Sequence, residues 1–148
     1  MMRPVVYVLG AYPVWSESFL RQDIRGLLAA GVPLVPVCLR PGDCERLDAW
    51  PEVACLSHST AAGGGHPRPD GVRTGRRLPL QAATAFSLWH HRRLARDLAA
   101  LVLDHGAIHV HAEFADLPGL LVASVARRHG LTHSLGVHAH DVHESKFT

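Results

Sequence analysis

Short apolar runs alternate along this chain with stretches in which apolar residues recur at helical spacing, and glycine or proline punctuates most changes of period. Residues 3–11 are rich in Val, with a Tyr among them, and are closed by Gly10, which predicts a buried strand. Residues 12–16 (Tyr-Pro-Val-Trp-Ser) predict a loop. Ser16 is placed to cap a helix, with Glu17 in the first turn, where a negative charge meets the positive end of the helix dipole. Leu20, Ile24, Leu27 and Leu28 fall on one face of that helix, and Gly31 stops it. Residues 32–39 predict a second strand, made irregular or edge-like by Pro33 and Pro36. Strand, loop, helix and strand form a βαβ opening, which calls for a parallel sheet.

Residues 40–48 predict a polar loop and residues 52–57 a short third strand. Residues 61–77, with Gly63-Gly64-Gly65 among several Pro and Arg, predict a surface loop inside one domain, because periodicity resumes directly after them. Residues 80–105 are helical in pattern, with Leu94, Leu98, Leu101 and Val102 on one stripe and Gly106 as the stop. Residues 107–112 predict a strand, 117–129 a helix ended by Gly130, and 134–138 a final strand. There is no internal repeat. About five strands alternating with three helices make a doubly wound α/β domain, a Rossmann-like parallel sheet with helices on both faces.

At 148 residues the chain can bury a core of its own, and 47% hydrophobic with 19% charged residues is ordinary for a globular domain. A formal net charge of +2 decides neither for nor against nucleic acid. Lys146 is the only Lys, and Arg76-Arg77, Arg92-Arg93 and Arg127-Arg128 are local doublets. Solvated helix faces are the plainer reading of these doublets; attraction to anionic lipid headgroups or sugar phosphates is the alternative. Cys38, Cys44 and Cys55 are odd in number and match no zinc spacing, which points to a reducing, cytosolic location. The apolar run at 3–9 is too short and too β-branched for a secretory signal, and no run approaches a membrane span.

Histidine is abundant, at twelve residues, and two groups fall at strand ends: His109-Val110-His111 with Glu113, and His138-Ala139-His140-Asp141-Val142-His143. Alternation places His109 and His111 on one face of their strand. Such groups admit a zinc or iron site, neutral imidazoles that hydrogen-bond a sugar or phosphate, or structural side chains. The second group superficially resembles the His-x-His-x-Asp-His signature of metallo-β-lactamase-like hydrolases. Asp141 is one position early for it, however, and the preceding order of elements is wrong. The Gly10 loop lacks G-x-G-x-x-G, which disfavours a nicotinamide cofactor, and no P-loop is present. A helix N-terminus just after the first strand can still receive a polar or anionic ligand, and Trp15 either stacks on a sugar ring or packs locally.

Three segments in order resemble the N-terminal half of a retaining glycosyltransferase of family 4, of the colanic-acid or exopolysaccharide type. Tyr12-Pro13-Val14-Trp15-Ser16-Glu17-Ser18-Phe19-Leu20, with Asp23-Ile24, Leu27 and Gly31 downstream, is similar to that subgroup's F-P-x-x-S-E-T-F opening. His109-Val110-His111-Ala112-Glu113-Phe114-Ala115 is similar to H-x-H-A-H-F-A, with Glu113 in place of a His. Gly136-Val137-His138-Ala139-His140-Asp141-Val142 is similar to T-x-H-A-x-D-I, with Gly136 in place of a Thr.

The resemblance implies a GT-B enzyme whose two Rossmann-like domains enclose the active site, this chain being the acceptor-side domain, incomplete at its C-terminus. It implies metal-independent transfer of a sugar from a nucleotide-sugar donor to a glycan or lipid-linked acceptor, with no cofactor and no nucleic acid partner. His138 would bind and place the donor sugar, and Asp141 would orient its loop. Gly10, Tyr12, Ser16 and Glu17 would face donor phosphate or acceptor, and His111 and Glu113 would line the substrate site. The enzyme would be cytoplasmic, with peripheral contact to the inner membrane at most. Without a nucleotide-sugar domain the chain alone is expected to be inactive. Two other readings stand beside this one: a metal-dependent hydrolase using His109, His111, His138, His140 and Asp141, and a non-catalytic carbohydrate-binding module.

Overall fold

The computed structural model of the chain describes residues 3–14, 17–43, 51–56 and 80–138. Five strands and four helices follow in the order β1 (Val5–Tyr12), α1 (Ser18–Ala29), β2 (Leu34–Pro41), β3 (Ala54–Cys55), α2 (Leu80–His90), α3 (Arg92–Asp104), β4 (His109–Ala112), α4 (Leu117–His129) and β5 (Thr132–Leu135). All strand pairs are parallel and the spatial order is β3-β2-β1-β4-β5, a Rossmann-like α/β sheet. The chain builds leftward from β1 to β3, then crosses over to β4 and builds rightward. The point at which the order reverses lies between β1 and β4.

Alternation along the strands divides the core into two layers. Val6, Val8, Val37, Leu39, Val110 and Ala112 face α3 and α4 and meet Leu98, Val102, Leu121, Val122 and Val125. On the opposite face Tyr7, Leu9 and Cys38 pack against Leu20 and Ile24 of α1. These buried aliphatic side chains supply the main driving force for the fold, about 1.5–3 kcal/mol each relative to exposure.

The structure moves several boundaries. β1 runs through Tyr12, so Gly10 and Tyr12 lie in the strand and not in the loop expected after it. Gly10 sits on the α4 face, where a β-carbon would lie 3.6 Å from Pro118 Cγ, an ordinary packing distance. Glu17 is the cap residue of α1 and not part of its first turn, since its amide closes a turn onto the Val14 carbonyl at 3.3 Å. Ser16, expected as the cap, lies outside the described residues. Leu28 is 43% exposed and does not join the apolar face of α1.

The helical stretch expected over 80–105 is two helices separated at His91, where the Arg92 guanidinium bonds the Trp89 carbonyl at 3.2 Å and stands 4.9 Å from the centre of the Trp89 ring. The 61–77 loop lies outside the described residues. β3 is only two residues long. β5 begins at Thr132, two residues earlier than expected, and ends at Leu135, so His138 lies beyond the strand and not in it. None of the described helices is long and apolar enough to cross a membrane.

Candidate active site at the carboxyl edge of the sheet

Parallel sheets place ligands outside the carboxyl ends of their strands, at the point where strand order reverses. Here that point is occupied by Glu113, the residue after β4. Its backbone is tied to both neighbouring strands. The Glu113 amide donates to the Val8 carbonyl at 3.2 Å, and next to it the Gly136 amide donates to the Ala112 carbonyl at 2.8 Å.

Gly136 is required for that approach. A β-carbon there would lie 2.5 Å from the Glu113 carbonyl oxygen, inside van der Waals contact with main chain. Glu113 and Gly136 are two of the positions at which the sequence departs from the motifs it resembles. They are in backbone contact, and a Thr at 136 is incompatible with this path of the chain.

Glu113 is the one buried charged residue among the described residues, at 7% exposure. An isolated carboxylate in that position would be strongly disfavoured unless hydrogen-bonded. Three donors meet it. The Tyr7 hydroxyl bonds Oε2, His111 Nε2 reaches the same oxygen at 3.3 Å, and His138 Nε2 bonds Oε1 at 2.7 Å. Burial raises the Glu113 pKa, but the bonds from His111, Tyr7 and His138 outweigh it and hold the carboxyl at about 2. The Tyr7 phenol is pushed far above its ordinary range by burial, by its bond to Glu113 and by the charges of Glu113 and Asp23.

The His138 ring is held between two phenyl rings, with centroids 5.2 Å from Phe19 and 5.0 Å from Phe114. Phe19 comes from the first turn of α1 and Phe114 from the loop after β4, so the segments that follow both strands of the switch point flank the imidazole. Glu17 stands close enough to His138 for the two side chains to interact electrostatically. Its carboxyl is raised, first by burial and further by Asp116 and Asp43, while Arg40 at the end of β2 opposes the rise. Across the same edge, Gly42 donates its amide to the Tyr12 carbonyl at 3.0 Å and Asp43 donates to the Pro13 carbonyl at 3.1 Å.

Behind this edge, β4 and β5 carry a polar strip on the α1 face. Register pairs His109 with Thr132 and His111 with Ser134. Thr132 donates its hydroxyl to the Ile108 carbonyl at 3.0 Å, and His109 Nδ1 meets Thr132 Oγ1 at 2.8 Å. Ser134 Oγ lies between His109 Nε2 at 2.8 Å and His111 Nδ1 at 2.7 Å. The Tyr7 and His111 rings are 4.9 Å apart, which joins the strip to the first strand. Burial, with the neighbouring His111 and His133, lowers the His109 pKa and keeps that ring neutral. A groove of ≈ 630 Å³ opens between this strip and Asp23 and Leu27 of α1. It shares Tyr7 and His111 with the carboxylate cluster, but Glu113 and His138 do not line it, so the titratable chemistry sits at the carboxyl edge and not in the groove.

Of the residues singled out from sequence, the structure brings His111, Glu113 and His138 together and places Glu17 beside them. Gly10 is directed away, toward α4. Tyr12 is buried at the end of β1 in the layer packed against α1. Ser16 and Asp141 lie outside the described residues, as does His140. Tyr7, Ser134, Phe19, Phe114 and Gly42 were not foreseen as parts of the site. Tyr7 carried one readable signal, a hydroxyl inside an otherwise apolar strand. The ring nitrogens of His109 and His111 all face hydroxyl or carboxylate oxygens. Among the described residues no group of three or more His, Cys, Asp or Glu is arranged to hold a metal ion.

The arrangement can hold an imidazole rigidly at the mouth of a parallel sheet, beside acidic and basic side chains from three neighbouring loops. Compared with protein-family models, with curated proteins and with solved structures, the chain matches none.

Proposed function

We propose that this chain is the acceptor-side domain of a retaining sugar-nucleotide glycosyltransferase that builds a cell-surface polysaccharide or lipid-linked glycan. The observation that carries the reading is the position of His138. It is fixed by Glu113, Phe19 and Phe114 at the reversal point of a parallel sheet, where a bound sugar would lie. The motif resemblance in the three segments around residues 12–20, 109–115 and 136–142 supplies the reaction class. In this reading His138 hydrogen-bonds the donor sugar, Asp141 orients its loop, and Glu17 with the end of β1 faces the acceptor. A second Rossmann-like domain would bind the nucleotide and stabilise the departing diphosphate, where negative charge develops. The enzyme would work in the cytoplasm, touching the inner membrane only peripherally.

The test is transfer of labelled sugar by the complete enzyme, this domain together with its nucleotide-sugar domain, from a panel of nucleotide sugars to lipid-linked acceptors. His138→Ala is expected to lower turnover roughly hundredfold with the fold intact, the scale of losing one positioned polar group at a reacting centre. Unchanged turnover would remove His138 from the site, and no transfer from any donor would sink the reading.

A further inference from the structure

α2 contains no Asp, Glu, Lys or Arg from Leu80 to His90, so it lacks the charged side that a surface helix ordinarily turns to water. Leu88 packs against the core, while Phe86 and Trp89 remain 63% and 61% exposed. Single exposed apolar side chains are ordinary on a protein surface, but these two belong to one patch. Their rings lie 6.2 Å apart, the His90 ring stacks on Phe86 at 6.3 Å, and the Arg92 guanidinium stands 4.9 Å from the centre of the Trp89 ring. Arg93 and Arg96 are exposed at the start of α3, and Asp97, paired with Arg96 at 3.8 Å, is the first carboxylate after them. In sequence the same sign reaches upstream: residues 71–96 include no Asp or Glu, and Arg73, Arg76 and Arg77 precede α2. α3 runs back to the start of β4, so its first turn lies toward the carboxyl end of the sheet, the end that holds Glu113 and His138.

We infer that the corner between α2 and α3 is a membrane-docking surface, which seats Phe86 and Trp89 in the interfacial layer of an anionic bilayer while Arg92, Arg93 and Arg96 meet lipid phosphates. Charge complementarity decides the occupant. An anionic leaflet is negative at its surface and apolar beneath, the counterpart of aromatic rings bordered by guanidinium groups. Trp is favoured at the headgroup level because its ring is apolar and its N–H polar, and Arg reaches phosphate from there along its own apolar stem. The guanidinium over the Trp89 ring keeps the two at one depth. At 11 residues α2 is too short to span a bilayer, so it lies in the plane of the surface. The inference goes beyond the glycosyltransferase reading and stands without it, since it draws on no residue of the carboxyl-edge site.

The experiment is co-sedimentation of the full chain with vesicles of phosphatidylcholine alone, and with vesicles of phosphatidylcholine and phosphatidylglycerol in equal parts. The expected result is binding to the anionic vesicles only, weakened by added salt. Phe86→Ser and Trp89→Ser should each weaken binding roughly tenfold, the scale of burying one aromatic side chain. Arg93→Gln combined with Arg96→Gln should weaken it about twenty-fivefold, at about fivefold for each charge. That pair leaves the Trp89–Arg92 contact in place. Lipid brominated on its acyl chains should quench the fluorescence of wild type but not of Trp89→Phe, which retains Trp15 and Trp50. Absence of binding, equal binding to neutral vesicles, or serine variants that bind like wild type would overturn the inference. So would a dimer in analytical ultracentrifugation that Trp89→Ser dissociates, because a second copy would then cover the face. Vesicle binding in a protein whose complete form transfers no sugar would uphold the docking surface and reject the glycosyltransferase alone.

Discussion

Tyr7 donates its hydroxyl proton to Glu113 across 106 residues of sequence, and this bond ties the first strand to the carboxylate at the centre of the site. Tyr7→Phe keeps the ring and removes only the donor, leaving Glu113 with two of its three bonds. The expected loss is about 1.5–3 kcal/mol of stability, the range for a hydrogen bond to a charged group. Urea denaturation of the two proteins measures it, and equal midpoints would show that the bond contributes nothing.

The depressed Glu113 pKa fixes the sign of an acid dependence. The carboxyl titrates at about 2 in the folded chain against an ordinary value of 4.5. Its contribution is therefore complete above pH 4.5 and is lost as the pH falls toward about 2. The size is on the order of 3 kcal/mol from the difference between the two values. Glu113→Gln should flatten the fall in urea midpoint through that window. A variant with the same acid slope as wild type would place the titrating group elsewhere.

Gly136→Ala should be destabilising by about 1–3 kcal/mol, the scale of forcing extra carbon into a packed position. The added methyl would meet the Glu113 carbonyl oxygen at 2.5 Å, so the backbone carrying the carboxylate must shift. Gly42→Ala is the harsher change, because its β-carbon would lie 1.6 Å from the Pro13 oxygen. Denaturation midpoints ranked wild type, then Gly136→Ala, then Gly42→Ala are the expected outcome. A Gly42→Ala protein as stable as wild type would contradict this backbone path.

Cys38 should resist alkylation in the native protein. It is 2% exposed, and burial together with the neighbouring Cys55 pushes its thiol up to about 12, so almost no thiolate exists at neutral pH. Mass spectrometry after brief iodoacetamide treatment should find Cys38 unmodified in buffer and modified in urea. Equal labelling in both would show that this side chain is open to solvent.

The alternation of apolar strands with amphipathic helices was legible wherever one face of an element is buried. Val6, Val8, Leu98, Val102, Leu121 and Val122 follow the periods expected of strands and helices, and Gly31, Gly106 and Gly130 follow the ends of α1, α3 and α4. β5 was placed two residues late because Thr132 and His133 look like loop residues. The Thr132 hydroxyl meets His109 of β4, a fact of pairing that no single segment displays. The site was legible in part for the same reason. His111, Glu113 and His138 sit in short motifs, whereas the role of Tyr7 depends on β1 lying beside β4, and strand order is not written in local pattern.

The partners of Glu113 have a consequence for how the molecule comes together. Tyr7 is 106 residues from it and His138 is 25 residues away on the other side, so no continuous stretch of sequence can hold that carboxylate. Before β5 docks on β4 the charge lacks its Oε1 partner, and before β1 pairs with β4 it lacks the phenol. The imidazole is oriented only after both events. The arrangement at this edge thus exists only once the sheet is complete, and a reporter on His138 would read that completion.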